Sequence, residues 1–135
     1  MLVKQKQLKK KDVTFVTETD SISNVLEQLN SSGYRCIPVV NETGEKFVGN
    51  IYKVEILEYK LKEGDMQAPV KQLTEEAEAF VTESSSFFEV FTSLKRLPYL
   101  AVVDEKGIFT GILPHSKVIE LIEEAWGYRT KSNFS

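Results

Sequence analysis

From Ser21 onward, apolar residues fall at Ile22, Val25, Leu26 and Leu29 with polar residues between them. This i, i+3, i+4, i+7 spacing predicts a helix that buries one stripe. Ser21 stands at the N-cap position, and Gly33 is placed to end the helix in a left-handed cap. Val13 to Thr17 reads as an extended segment before the helix. After it, the apolar run from Cys36 to Val40 reads as a strand, the turn ending in Gly44 as a reversal, and Phe47 to Ile51 as the returning arm of a hairpin.

The same pattern is written twice. Lys6-Gln7-Leu8 recurs as Lys71-Gln72-Leu73 and Phe15-Val16-Thr17-Glu18 as Phe80-Val81-Thr82-Glu83, all 65 residues on. Ser21, Val25 and Leu29 are matched by Ser86, Val90 and Leu94 at that offset. After a two-residue deletion, Ile37-Pro38-Val39-Val40 faces Leu100-Ala101-Val102-Val103, the turns ending in Gly44 and Gly107 correspond, and Gly49 pairs with Gly111. The second copy therefore has Ala79 to Thr82 extended and a helix capped by Ser86 with Glu89 completing a capping box. Phe87, Val90, Phe91 and Leu94 form its stripe, followed by a hairpin returning along Ile108 to Leu113.

A second helix closes each copy. In the C-terminal one, Val118, Leu121, Ile122 and Ala125 share a face and Gly127 is the stop. The unit is β-α-β-β-α, an α/β (α+β) architecture in two repeats. The expected division is 1–61 for the first repeat with a basic N-terminal arm and 62–69 for a linker containing Gly64, Asp65 and Pro69. The second repeat then covers 70–126 and a tail 127–135.

Composition narrows the chemistry. With 135 residues, 41% hydrophobic and 27% charged, the chain has ordinary globular usage. Leu97 to Val103, its longest uncharged apolar stretch, is far short of a membrane span, so a cytoplasmic protein without a membrane partner is expected. One cysteine, Cys36, and one histidine, His115, exclude intramolecular disulfides and zinc-type clusters. A reduced, packed thiol is the plain reading of Cys36. No paired carboxylates, nucleophile motif or Gly-rich phosphate loop stands out, so no catalytic residue is assigned and no enzyme or cofactor is expected.

The net charge of −3 hides an asymmetry: Lys4, Lys6, Lys9, Lys10 and Lys11 precede the first acid, Asp12. Five lysines without interleaved aromatics are a weak nucleic-acid footprint, and a solvated tail is the default reading. The Phe87, Phe88 and Phe91 cluster has the spacing of core packing or a dimer face. Trp126, Tyr128 and Phe134 near the C-terminus are candidates either for docking on a neighbouring subunit or for lying loosely along this one.

Two units, each with a hydrophobic-Pro-Val-Val strand or its Leu-Ala-Val-Val counterpart, an Asn/Asp-Glu-x-Gly turn and a Gly-hydrophobic strand running into a helix, resemble a tandem pair of CBS domains, the Bateman module. The resemblance implies two halves related by a pseudo-twofold axis, with clefts between them that take adenine nucleotides in many members, and further homodimerisation. It places Arg35 and Lys53 in the first copy, and His115 and Lys117 in the second, at cleft-lining positions where cations meet phosphate. The helix starts at Gly49 to Glu55 and Gly111 to Val118 aim amides toward it. Ile37, Leu100, Cys36 and Tyr52 are strand positions that cover a base, and Tyr34 and Tyr99 are candidates to stack on adenine, each weighed against half-buried packing.

The chain departs from the family's Gly-hydrophobic-x-Thr/Ser-x-x-Asp junction. It has Gly49-Asn50-Ile51-Tyr52-Lys53-Val54-Glu55 and Gly111-Ile112-Leu113-Pro114-His115-Ser116-Lys117. Glu55 replaces the ribose-holding aspartate in the first copy, whereas Lys117 cannot in the second, so the clefts are expected to be unequal. Cyclic di-AMP, whose ribose 3′ oxygens are already esterified, needs that aspartate least. The resemblance thus implies a non-enzymatic sensor of an adenine nucleotide, foremost cyclic di-AMP, acting on an unidentified effector protein. AMP, ADP or ATP is the alternative ligand, and a ligand-independent interaction module is the alternative class.

Overall fold

The computed structural model describes residues 6–77, 81–82, 98–120 and 123. The chain divides into two compact units, one of Thr14–Glu78 and one of Met1–Val13 with Ala79–Ser135. In the first unit, β2 (Val16–Thr17), β3 (Cys36–Val40), β4 (Phe47–Tyr52) and β5 (Glu75–Glu76) form a sheet in the order β2-β3-β4-β5. In the second, β1 (Leu8–Lys9), β6 (Val81–Thr82), β7 (Tyr99–Val103) and β8 (Phe109–Pro114) form a sheet in the order β1-β8-β7-β6.

Helix α1 (Ile22–Ser32) follows β2 as its periodicity predicts. The Asn24 amide donates to Ser21 Oγ at 3.2 Å, and Gly33, at φ 77°, donates its amide to the Leu29 carbonyl at 3.0 Å. Ile22, Val25, Leu26 and Leu29 are all buried in one cluster with Ile37, Val39 and Ile51 of the sheet. Removing each such side chain from water contributes about 2 kcal/mol. The 62–69 stretch is folded onto this unit: the Ile22 and Ser23 amides donate to the Ala68 and Met66 carbonyls at 2.9 and 2.8 Å. Helix α2 (Lys53–Leu61) buries only Ile56 fully.

The two sheets are register twins. Val16 pairs in parallel with Val39, as Val81 does with Val102. Ile37 opposes Ile51 in one hairpin and Leu100 opposes Leu113 in the other, and each ladder shifts register between two valines, Val39/Val40 and Val102/Val103. Gly44 and Gly107 take positive φ, 77° and 80°, and end the paired turns. Asn41 Oδ1 accepts the Glu45 and Lys46 amides, while Asp104 Oδ1 accepts those of Lys106 and Ile108. Pro38 is tolerated inside β3 because β2 reaches only Val39 and Val40, leaving a single neighbour strand at that position.

Each sheet is completed by a two-residue edge strand. β5 pairs antiparallel with Gly49 and Asn50 of β4, and β1 with Gly111 and Ile112 of β8. The segment that opens each sequence repeat thus lies in the sheet of the other repeat. From Lys6 onward the basic arm is folded, which corrects the expectation of a solvated tail: the open edge of β8 needs backbone partners, and Leu8 and Lys9 supply them. The matched Leu8 and Leu73 also differ in role, one lying in β1 and the other in a 3₁₀ turn at Val70–Leu73.

Residues 115–120 are helical, with Val118 buried. The expected helix from Ser86 to Leu94, with Phe87, Phe88, Glu89, Val90 and Phe91, lies outside the described residues. So do Leu121, Ile122, Ala125, Trp126, Gly127, Tyr128 and Phe134.

Candidate functional site

In the unit of Thr14–Glu78, the left-handed turn at Gly33 delivers Tyr34 and Arg35 to the start of β3, beside the place where β4 passes into α2. The Lys53 amide donates to the Arg35 carbonyl at 2.8 Å, so the two cationic residues share one corner. Arg35 and Glu55 are exposed and Lys53 is half-buried. Tyr34 leaves 52% of its surface open beside them. Among the described residues, no hydrogen bond or ion pair engages the Arg35 guanidinium or the Lys53 ammonium.

The same corner is a helix start without a side-chain cap. Ser21 caps α1, but Tyr52, the N-cap residue of α2, contributes no such bond. The amides of Val54 and Glu55 have no intrahelical acceptor, and they mark the positive end of the helix dipole. A lysine at the first position of such a helix is unfavourable unless an anion joins it. Of the expected base-covering residues in this unit, Cys36 is buried opposite Tyr52 in the β3–β4 ladder, and Ile37 is closed off at 1% exposure.

Burial, with the Cys36 thiol and the Glu75 carboxylate nearby, pushes the Tyr52 phenol up to about 12. Glu75 and the buried Asn50 beside it were missed by sequence reasoning. Asn50 faces Pro38 on one side and Glu75 on the other. The recurring Lys-Gln-Leu was the available signal that a lead segment takes part in the repeat.

The other unit reproduces the backbone and changes the chemistry. The His115 amide donates to the Pro98 carbonyl at 3.0 Å, as Lys53 does to Arg35. His115 is exposed, but Tyr99 and Leu100 are buried, at 6% and 1%. Tyr99 opposes Pro114 as Cys36 opposes Tyr52, so it is the twin of Cys36 rather than of the exposed Tyr34. Lys117 Nζ lies 3.2 Å from Glu120 Oε1 and 3.5 Å from Oε2. Lys6 Nζ also reaches Glu120 Oε2, at 3.5 Å. Hydrogen bonding to Lys117, then the charges of both lysines, hold the Glu120 carboxyl below its usual range.

The sequence matches the CBS domain twice, over residues 6–62 and 70–124. The chain belongs to the CBS-domain family. No match was found among curated proteins. Among solved structures, the CBS pair resembles CbpB in complex with c-di-AMP, with a TM-score of 0.82 and 20% identity over 98% of this chain and 91% of that one. It is also similar to the CBS domain of the bacterial CNNM/CorC family Mg2+ transporter in complex with ATP, with a TM-score of 0.78, 23% identity and coverage of 90% and 87%. CBSX2 in complex with AMP matches with a TM-score of 0.76, 20% identity and coverage of 92% and 97%. At these identities the likeness is one of fold. Among the described residues, no helix is long and apolar enough to cross a membrane, and no cluster of potential metal ligands occurs.

Proposed function

We propose that this CBS pair is a non-enzymatic cytoplasmic sensor that binds an adenine nucleotide, foremost cyclic di-AMP, and signals to an effector protein. The observation that carries the reading is the corner where Arg35 and Lys53, both without a counter-ion among the described residues, are tied together at an uncapped helix start. Phosphate there gains two charge-assisted contacts and two helix-terminal amides. Tyr34 offers an open ring for adenine. The c-di-AMP, AMP and ATP complexes of three structures with this fold support the ligand class.

Homodimerisation belongs to the same proposal. Val54, Leu57 and Leu61 recur on α2 at helical spacing and stay exposed, a row of apolar side chains that a second copy would cover. A ligand that fits one arrangement of such an assembly better than another shifts its population, and the effector reads the difference.

Calorimetric titration with cyclic di-AMP, AMP, ADP and ATP tests the proposal. Micromolar or tighter binding of cyclic di-AMP is expected, preference for a mononucleotide would replace the ligand but keep the class, and no heat with any of the four would end it. A second reading, an interaction module that needs no ligand, is favoured by one observation, the engagement of Lys117 by Glu120. On that reading, Arg35→Ala and Lys53→Ala leave effector binding unchanged.

A further inference from the structure

We infer that Glu120 widens the inequality of the two junctions: by holding Lys117 it withholds that ammonium from phosphate, so the junction at Arg35 and Lys53 is the one a nucleotide occupies first. The inference rests on the nucleotide-binding reading above and assigns a selectivity role to a residue outside both junction motifs.

The geometry is specific. Both Glu120 oxygens lie within reach of Lys117 Nζ, at 3.2 and 3.5 Å, and Oε2 also meets Lys6 Nζ at 3.5 Å. Lys6 comes from the segment that leads into β1, and β1 is fixed against β8 at Gly111 and Ile112. Glu120 is therefore gripped from two sides, by its own helix and by a segment more than a hundred residues away. A phosphate approaching Lys117 meets a carboxylate already seated on that ammonium, and like charges repel. At the first junction, Arg35 and Lys53 have no such competitor among the described residues. At the second junction His115 is exposed, and its amide is taken by the Pro98 carbonyl.

The test is calorimetric titration of the full chain with cyclic di-AMP in four forms: wild type, Glu120→Gln, Glu123→Gln, and Glu120→Gln combined with Lys117→Met. Glu123 is exposed, lies one turn further along and removes the same charge without touching Lys117. Glu120→Gln is expected to strengthen the weaker binding step, or to reveal one that the wild type lacks, by about two- to fivefold, the range that exposed ion pairs reach. Glu123→Gln should match the wild type, and the gain should vanish when Lys117 is also replaced. Equal effects of Glu120→Gln and Glu123→Gln, or a gain that survives Lys117→Met, would overturn the inference while leaving nucleotide binding standing. No heat from any of the four proteins would overturn the nucleotide-binding reading, and this inference with it.

Discussion

Gly49 lies so close to the carbonyl of Glu75 that a Cβ in its place would overlap the oxygen, and Gly111 meets Leu8 in the same way. These two contacts explain why a strand of only two residues is sufficient at each sheet edge. The absent side chain lets the edge backbone close onto β4 or β8, and past β5 the chain makes a further bond, from the Ala77 amide to the Val48 carbonyl at 3.1 Å. The repeat's glycine is thus a docking requirement for the lead segment of the other repeat.

Gly49→Ala should therefore expel β5, destabilising the chain by about 1–3 kcal/mol, the usual cost of forcing atoms into a filled space. Gly44→Ala provides the contrast, because a Cβ there meets open space and the cost, about 1–2 kcal/mol, comes from the positive φ alone. Urea unfolding measures both. Hydrogen exchange separates them, since the Ala77 amide should lose protection in Gly49→Ala and keep it in Gly44→Ala.

The stripe of α1, its Ser21 and Gly33 caps, both glycine turns and both hairpins were legible, because helix and strand periods are local and the repeat states them twice. Strand ends moved by a residue, with β4 running to Tyr52 and β8 from Phe109 to Pro114. The lead segments were not legible as strands: Leu8-Lys9 and Glu75-Glu76 share no pattern, since the edge is specified by the partner glycine and by backbone bonds rather than by side chains. At the junctions, Arg35 and Lys53 were legible as candidates, but their union through one backbone bond was not. From the sequence, Tyr99 reads like Tyr34, as an aromatic at a strand end. The hairpin register places it opposite Pro114, where it is buried.

The Ser21 cap carries a second expectation. Its Oγ accepts one of the amides that α1 cannot satisfy internally. Ser21→Ala should cost about 1 kcal/mol, and Ser21→Asp should restore or exceed the wild-type value because a carboxylate also suits the helix dipole. Thermal and urea unfolding of the three proteins decide this, and equal stability of all three would show that the Ile22–Ala68 and Ser23–Met66 backbone bonds hold the helix start unaided.

For the nucleotide, Arg35→Ala and Lys53→Ala should each weaken cyclic di-AMP binding about tenfold or more, the loss of a charge-assisted hydrogen bond. Arg35→Lys should recover only part of it, because a point charge does not reproduce the guanidinium fork. Tyr34→Ala should weaken binding by at least about fivefold through lost stacking, and Tyr34→Phe should retain it. Calorimetry on these variants, with unchanged melting curves as the fold control, reads each effect. Wild-type affinity in Arg35→Ala and Lys53→Ala together would place the ligand elsewhere.

Tyr52 links the site to pH. Its phenol is raised from 10.0 to about 12, first by burial and then by the neighbouring Cys36 and Glu75. The unfolded chain releases this proton from about pH 10 while the native state keeps it, so the unfolded state binds fewer protons there and stability falls as pH rises. The contribution is complete below pH 10 and is lost on passing the native value of about 12. Urea midpoints measured across that interval should decline more steeply for wild type than for Tyr52→Phe. Glu75→Gln should move the phenol back toward its ordinary value, since one of the charges holding the proton on is gone, and the ultraviolet absorbance of the phenolate would register the shift. Parallel declines in wild type and Tyr52→Phe would show that this phenol is as open to water in the native state as in the unfolded one.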